Sequence, residues 1–118
     1  MKVQKFEDLI AWQKAQDLAV DIYKSFKNCK DYDFRNQICR AEVSISNNVA
    51  EGFDRSSNAD FSRFLYIALS SASEVKSMLY LAKQLNYLTD ESCKDLLIKT
   101  TEVSKIITGL IKSISSTN

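Results

Sequence analysis

The residues best suited to chemistry form a polar row on the second of four helical segments in this 118-residue chain. The row consists of Gln37, Arg40, Ser44, Asn48 and Glu51. Steps of three and four residues place these side chains on one flank of a helix, beside its apolar stripe. One interpretation is a ligand or phosphate site in which Arg40 is the cation, while Asn48 and Glu51 orient the ligand.

The alternative interpretation is an interhelical hydrogen-bond network that fixes the register of a bundle, with Arg63 or Ser71 on the third helix as partners. A half-buried polar row needs such partners, because an unsatisfied buried group costs about 1 to 3 kcal/mol. Gly52 follows the row and is predicted to end the helix, since glycine adopts the left-handed conformation of a helix terminus without penalty.

The arginines are concentrated in one part of the sequence. All four, Arg35, Arg40, Arg55 and Arg63, fall in the second helix, the loop after it and the start of the third helix. Arginine binds phosphate bidentately, so the cluster is a candidate set of nucleic-acid contacts. The alternative is local pairing with nearby carboxylates, namely Glu42, Glu51, Asp54 and Asp60.

The composition argues against an enzyme. Histidine is absent, which removes the commonest general base and the commonest metal ligand. Proline is absent as well, and glycine occurs only at positions 52 and 109. No paired carboxylates, glycine-rich phosphate loop or activated nucleophile is visible. We therefore expect no catalytic residues, metal, cofactor or small-molecule substrate. The three cysteines are widely spaced and are expected to be reduced, structural thiols.

The apolar periodicity predicts an all-α protein with a single domain over residues 1–118. The helices are expected from about Asp8 to Asn28, from Asp33 to Gly52, from a Ser57 cap to about Asn86, and from a Thr89 cap onward. The predicted inward residues are Leu9, Trp12, Ala15, Leu18, Ala19, Ile22, Tyr23 and Phe26, then Phe34, Ile38, Ala41, Ile45 and Val49, then Phe61, Phe64, Leu65, Ala68, Ala72, Val75, Leu79 and Ala82, then Leu96, Leu97, Val103, Ile107, Leu110, Ile111 and Ile114. Short connections favour an antiparallel up-down-up-down four-helix bundle. Gly109 inside the fourth helix hints at close packing or is simply tolerated, and the tail Ser113–Asn118 is expected to fray.

The third helix carries more apolar surface than a small bundle needs. Ile67, Met78, Leu81 and Leu85 lie about a quarter turn from the core stripe and form what we call the third-helix flank, while Leu69, Tyr80 and Tyr87 lie to the other side. Each large apolar side chain that stays exposed to water forgoes roughly 1.5 to 3 kcal/mol of hydrophobic free energy. The flank therefore predicts self-association.

The overall charge and hydropathy place few constraints on partners. The 16 basic and 15 acidic residues give a net charge of +1, so any binding of nucleic acid must be local. No apolar stretch approaches the roughly 20 residues needed to span a bilayer, and the first five residues do not begin a signal peptide. We expect a cytoplasmic protein without a membrane partner.

Two runs of the sequence are distinctive, QICRAEVSISNNVAEG from Gln37 to Gly52, followed by Phe53 and Arg55, and RFLYIALSSASEV from Arg63 to Val75. Shorter motifs are Phe6 to Leu9 with Trp12 to Ala15, and Leu81 to Leu88. In these motifs the sequence resembles the four-helix bundle family encoded within intervening sequences of bacterial 23S rRNA genes. This chain has Cys39 where the family usually has a second arginine, Ser46 in place of proline and Ser70 in place of glycine. The first difference removes one cation from any nucleic-acid site.

The resemblance implies a homopentamer, in which antiparallel four-helix bundles form a ring. It also implies kinship with the accessory subunit of diversity-generating retroelements, which partners a reverse transcriptase and its RNA or DNA. These implications favour a non-catalytic oligomeric scaffold that binds nucleic acid or a nucleoprotein. The alternative is a protein–protein adaptor with no nucleic-acid role.

Overall fold

The computed structural model describes residues 3–116, with Ser116 described through its backbone only, and every regular element in this range is helical. The elements are a 3-10 helix at Phe6–Asp8, α1 (Ile10–Ser25), α2 (Tyr32–Phe53), α3 (Asn58–Gln84) and α4 (Asp90–Ser116). Each helix packs against its neighbours in the chain, and α1 also packs against α4. The prediction of four helices without strands is confirmed for the described part of the chain.

The hydrophobic core follows the predicted stripes closely. Ile38, Ile45 and Val49 of α2 are fully buried, and α3 buries the predicted residues from Phe64 to Ala82. One prediction about α1 is wrong, because Tyr23 is 53% exposed, whereas Ala11 is buried instead. The aromatic ring lies at the margin of the bundle, where its hydroxyl reaches solvent.

The helix ends combine predicted and unpredicted caps. Ser57 caps α3 by accepting a hydrogen bond from the Asp60 amide at 3.1 Å, and Thr89 accepts one from the Ser92 amide at 3.1 Å, as predicted. The cap of α2 is Asp31 rather than Asp33, because Asp31 Oδ1 accepts from the Phe34 amide at 3.2 Å. The N-cap is therefore two residues earlier than predicted, and α2 starts at Tyr32.

Two other boundaries also differ from the prediction. The chain turns through a 3-10 helix before Leu9, which has an extended conformation, so α1 starts at Ile10 rather than Asp8 and ends at Ser25. The fourth helix continues to Ser116, so residues 113–116 are helical rather than frayed. The remaining part of that prediction, residues 117 and 118, lies outside the described residues.

The third helix ends in a Schellman motif. Asn86 has φ 62°, in the left-handed region, and the Tyr87 amide donates to the Ala82 carbonyl at 2.8 Å. The Tyr87 hydroxyl also donates to Asp31 Oδ2 at 2.7 Å, which joins the α3–α4 turn to the start of α2 and lowers the pKa of Asp31. These contacts fix the end of the bundle at which α2 begins.

Gly52 allows α2 and α3 to approach each other closely. The prediction that it ends the helix in a left-handed conformation is wrong, since α2 continues to Phe53 and no described glycine has positive φ. A Cβ atom at position 52 would lie 2.7 Å from Phe64 Cβ and 3.1 Å from Phe61 Cδ1. Gly109, by contrast, faces open space, so close packing is not the reason for that glycine.

We predict that Gly52→Ala lowers the free energy of unfolding by about 1 to 2 kcal/mol, because the overlap with Phe64 exceeds the gain in helix propensity. The matched variant Gly109→Ala should raise it by about 0.5 to 1 kcal/mol, since only the backbone term applies there. Urea unfolding followed by circular dichroism, at one fixed protein concentration, measures both changes. Equal stabilisation by the two substitutions would contradict the close-approach explanation.

Candidate nucleic-acid interface

A groove of about 850 Å³ runs between α1 and the outer face of α2. Its lining, which we call the α1–α2 groove, comprises Tyr23, Lys27, Arg35, Asn36, Cys39, Arg40, Val43, Ser44, Asn47 and Asn48. The span from Arg35 to Asn48 covers roughly 20 Å of helix at about 1.5 Å per residue. Three cations, three amides and one exposed phenol therefore line one continuous surface, and none of its lining residues is acidic.

The two arginines in the groove are available for an external anion. Arg40 is exposed and forms no ion pair with any described residue. The Arg35 guanidinium stacks on Tyr32, with Cζ 4.8 Å from the ring centroid, and contacts Asn36 Oδ1 at 3.4 Å. The stacking leaves other N–H groups of Arg35 free to bind phosphate oxygens.

The only acidic residue of α2 between Arg35 and Asn48 is Glu42, and it is fully buried. Burial raises the pKa of the Glu42 carboxyl to about 9, so the group is protonated and uncharged at neutral pH. Neither carboxyl oxygen has a hydrogen-bond partner among the residues that the structure describes. Between Arg35 and Asn48, α2 consequently carries two arginines and no ionised carboxylate.

The other two arginines of the predicted cluster are held elsewhere. Arg55 and Arg63 both lie over the Phe64 ring, each with Cζ 4.7 Å from its centroid. Arg55 Nη2 lies 3.6 Å from Glu51 Oε1, and Arg63 Nε lies 3.8 Å from an Asp60 oxygen. The structure thus divides the cluster into two pairs. Arg55 and Arg63 contact carboxylates at the α2–α3 turn, whereas Arg35 and Arg40, in the groove, have no carboxylate partner among the described residues.

The polar row on α2 forms hydrogen bonds with α3 and within its own helix. Ser44 Oγ lies 2.9 Å from Ser71 Oγ of α3, and Asn48 Nδ2 donates to the Ser44 carbonyl at 2.7 Å. Gln37 Nε2 donates to Glu74 Oε2 of α3 at 3.3 Å. The row therefore links α2 to α3 through Ser71 and Glu74 rather than through Arg63.

Arg40 borders both surfaces of α2. It lines the α1–α2 groove and also a smaller cleft of about 280 Å³ toward α3, which contains Gln37, Ser44 and Glu74. Glu51, the last residue of the polar row, is exposed and pairs with Arg55. Ligand contacts from Arg40 and Asn48 on the groove side are compatible with this geometry, whereas Glu51 is directed into the pair with Arg55.

Several residues of the groove were not predicted. Tyr23 was placed in the core, and Lys27, Asn36 and Asn47 were not considered. The signal available in the sequence was the spacing of Asn36, Arg40, Val43 and Asn47, which recur at four, three and four residues on the side of α2 opposite its core stripe. A helix face that carries amides and an arginine but no carboxylate can bind an anion, and this pattern could have indicated the groove.

The third-helix flank is largely exposed in a single chain. Ile67, Leu81 and Leu85 are 39%, 47% and 45% exposed, whereas Met78 is half-buried and packs against the core. Ser71 contacts α2, and Ile67 and Leu85 lie 4 and 14 residues from it, which is close to one and four helical turns. The flank therefore lies on the side of α3 that faces α2. Three of the four predicted self-association residues are therefore open to contact, and Met78 contributes mainly to the bundle.

Potential metal ligands and thiols are dispersed over the described part of the chain. No group of three or more potential metal-ligating side chains occurs within residues 3–116. All three cysteines are free thiols, with Cys39 and Cys93 buried and Cys29 partly exposed. None of the described helices has the length and apolar composition needed to cross a lipid bilayer.

The four α-helices of the described residues place this chain in the class of small all-α, four-helix proteins. The family model described as "23S rRNA-intervening sequence protein" matches residues 7–109. The chain belongs to this family, and the resemblance noted from its motifs is confirmed.

A crystal structure supports the same conclusion. It is that of a protein with unknown function from the S23 ribosomal protein family of Bacteroides thetaiotaomicron VPI-5482. The two chains are 32% identical with a TM-score of 0.82, and the match covers 87% of this chain and 99% of the other. A comparison with curated proteins finds no significant match.

The buried carboxyl in α2 predicts an unusual pH dependence of stability. The pKa of Glu42 is raised from 4.5 to about 9 on folding, so its contribution is complete below about pH 4.5 and is lost as the pH rises toward 9. Between pH 5 and pH 8 the free energy of unfolding should fall by up to about 4 kcal/mol, at about 1.4 kcal/mol per pH unit. Cys39, one turn away, has a raised pKa and stays protonated over this range.

Glu42→Met should remove this fall while retaining the side-chain volume, and should therefore stabilise the protein more at pH 8 than at pH 5. Glu51→Met is the matched control, because the Glu51 carboxylate is exposed and its loss should leave the pH profile unchanged. Urea midpoints measured from pH 5 to pH 8 test both variants. Parallel profiles for wild type and Glu42→Met would refute the assignment of a neutral buried carboxyl.

Proposed function

We propose that this protein is a non-catalytic homo-oligomeric scaffold that binds nucleic acid, or a nucleoprotein, through the α1–α2 groove. The observation that carries the proposal is the set of cations in that groove, Lys27, Arg35 and Arg40, which form no ion pair with a described residue and line a surface without an acidic side chain. The one carboxyl of α2 between Arg35 and Asn48 is buried and neutral. Nucleic-acid affinity depends chiefly on such contacts to phosphates.

The uncharged groups of the groove suit the same ligand. The amides of Asn36 and Asn47 can donate to phosphate or sugar oxygens, and the exposed Tyr23 ring can stack on an unpaired base. Three cations per chain are few for tight binding. Repetition of the groove in an oligomer would supply the remaining affinity through multivalency.

The proposed assembly is a ring of antiparallel up-down bundles, pentameric by the family resemblance. Its support in this chain is the third-helix flank, where Ile67, Leu81 and Leu85 would regain part of the hydrophobic free energy that a lone chain forgoes. The kinship with retroelement accessory subunits extends the proposal to a reverse transcriptase and its RNA or DNA as partners.

A protein–protein adaptor is the second candidate function. The net charge of +1 and the exposed apolar residues of α3 favour a polypeptide target. A pull-down with and without nuclease separates the two functions, since an adaptor retains its partner after RNA and DNA are digested.

We predict that the double variant Arg35→Gln/Arg40→Gln weakens binding of a structured RNA at least tenfold at 50 mM salt. For three phosphate contacts per chain, log K should fall with log salt at a slope of about −2 to −3 for each engaged subunit. The slope should become shallower in the variant, by about 0.7 to 0.9 for each lost contact. Fluorescence anisotropy over a salt series measures both quantities.

The control for this experiment is Arg55→Gln, because Arg55 is already engaged by Phe64 and Glu51. Its effect on RNA affinity should be less than twofold. Equal losses in the groove variant and in the control, or no RNA retention by an intact oligomer at low salt, would refute the proposed interface.

We predict that Leu85→Glu dissociates the oligomer while the helices remain intact, because a charge on the third-helix flank opposes burial of that surface. Ile10→Glu is the matched control, since Ile10 is 56% exposed on α1, away from the flank. Sedimentation velocity and circular dichroism report mass and helicity. Met78→Asp is unsuitable because Met78 packs on the core, and a wild-type monomer at micromolar concentration would refute self-association.

A further inference from the structure

A second groove, of about 840 Å³, lies between α3 and α4 and differs in chemistry from the α1–α2 groove. Its apolar surface includes Leu97 and Ile106, which are partly buried, and Tyr80 and Ile98, which are 54% and 61% exposed. Ile98 is the most exposed large apolar side chain in the described part of the chain. Such an exposed aliphatic strip indicates a contact surface.

The walls of this α3–α4 groove carry four lysines, two from each helix. Lys76 and Lys83 lie on α3, and Lys94 and Lys105 lie on α4. None of the four forms an ion pair with a residue in the described range. Lys99, in contrast, is held by Asp21 at 2.8 Å and by Asp95 at 3.1 Å on another side of α4.

The carboxylates of this groove do not balance its lysines. Only Asp90 and Glu102 contribute acidic groups to its lining. Glu102 is also the partner of Lys14 of α1, with the two charged atoms 3.9 Å apart, and Asp90 is in the first turn of α4. An apolar strip bordered by free ammonium groups therefore remains between the two helices.

We propose that the α3–α4 groove is a docking site for an acidic amphipathic helix of a partner protein. The lysines on each wall are 7 and 11 residues apart, or roughly 10 and 16 Å along their helices, which matches two to three turns of a bound helix. Leucine-like side chains of the partner pack on Leu97, Ile98 and Ile106, and its flanking carboxylates meet the lysines. This is the helix-in-groove mode of recognition.

Charge complementarity favours such a partner over a second copy of this chain. The third-helix flank is an exposed apolar surface that another copy could offer, but Arg63 borders it. The carboxylates of Asp60 and Glu74 on that side of α3 already contact Arg63 and Gln37 within the chain. Nucleic acid fits less well than in the α1–α2 groove, because Leu97, Ile98 and Ile106 offer bases no hydrogen bonds, although the Tyr80 ring could stack on one base.

The test uses two fluorescein-labelled synthetic peptides of 18 residues. Both carry leucines at positions i, i+3, i+4 and i+7 of successive turns, and the stripe is flanked by glutamates in one peptide and by lysines in the other. Fluorescence anisotropy on the full chain should show saturable binding of the glutamate peptide, at least tenfold tighter than that of the lysine peptide. Amide shifts in a ¹⁵N spectrum should map to residues 76–83 and 94–106.

Charge reversal provides the specific control. Lys83→Glu/Lys94→Glu should weaken the glutamate peptide at least fivefold and strengthen the lysine peptide, a reversal that unfolding cannot produce. Lys24→Glu, an exposed change on α1, should alter neither affinity. Ile98→Asp should weaken both peptides, since it removes apolar contact from the strip.

Three results would overturn the proposal: no saturable binding of the glutamate peptide, equal affinity for the two peptides, or equal effects of the groove and Lys24 variants. Loss of self-association in Lys83→Glu/Lys94→Glu without peptide binding to wild type would assign the groove to a second copy. Loss of RNA binding in that variant would assign it to nucleic acid. Since the docking proposal does not depend on the α1–α2 groove, either proposal can fail while the other stands.

Discussion

The close packing of α2 against both α1 and α3 is the constraint on which the rest of this structure depends. Gly52 lets α2 reach α3 at a separation that any Cβ would prevent, and the Ser44–Ser71 contact continues that junction. On the other side, Gln16 Nε2 of α1 donates to the buried Ser46 hydroxyl at 3.0 Å. With both flanks occupied, only one face of α2 remains outside, and it carries Arg40 and the asparagine amides.

The same packing explains why a carboxyl can lie inside the bundle without a partner. Glu42 is on the stripe of Ile38 and Ile45, so a helix that buries those residues also buries Glu42. Ionising this group in an apolar interior is far more costly than retaining its proton. Protonation lowers that cost, although the unsatisfied oxygens still weigh against the folded state. As a consequence, the outer face of α2 carries no ionised carboxylate between Arg35 and Asn48, and the exposed Asp33 and Glu51 lie beyond the two ends of that stretch.

The fold was largely predictable because each helix follows a clear apolar period and Ser57 and Thr89 are strong caps. The burial of Glu42 could also have been predicted from this period, since Glu42 lies four residues after Ile38 and three before Ile45. Its charge instead placed it among the possible partners of the arginines. Gly52 was misassigned for a different reason. A glycine near a predicted helix end is compatible with a left-handed cap or with a close contact, and only the position of Phe64 distinguishes them. Tyr23 was misplaced because its spacing fits the core of α1, while the groove beside it exists only once α2 is in place.

The distribution of cations connects the bundle to its surfaces. The near-neutral total charge conceals two grooves with different cations, since arginines with amides line one and lysines with aliphatic side chains line the other. A guanidinium forms directed, planar hydrogen bonds that suit phosphate, whereas an ammonium on a flexible stem adapts to carboxylates around an apolar contact. Arg55 and Arg63, which stack on Phe64 at the α2–α3 turn, show that an arginine in this chain can equally serve packing. Position in sequence therefore does not distinguish a binding arginine from a structural one, but the presence of an aromatic ring and a carboxylate within reach does.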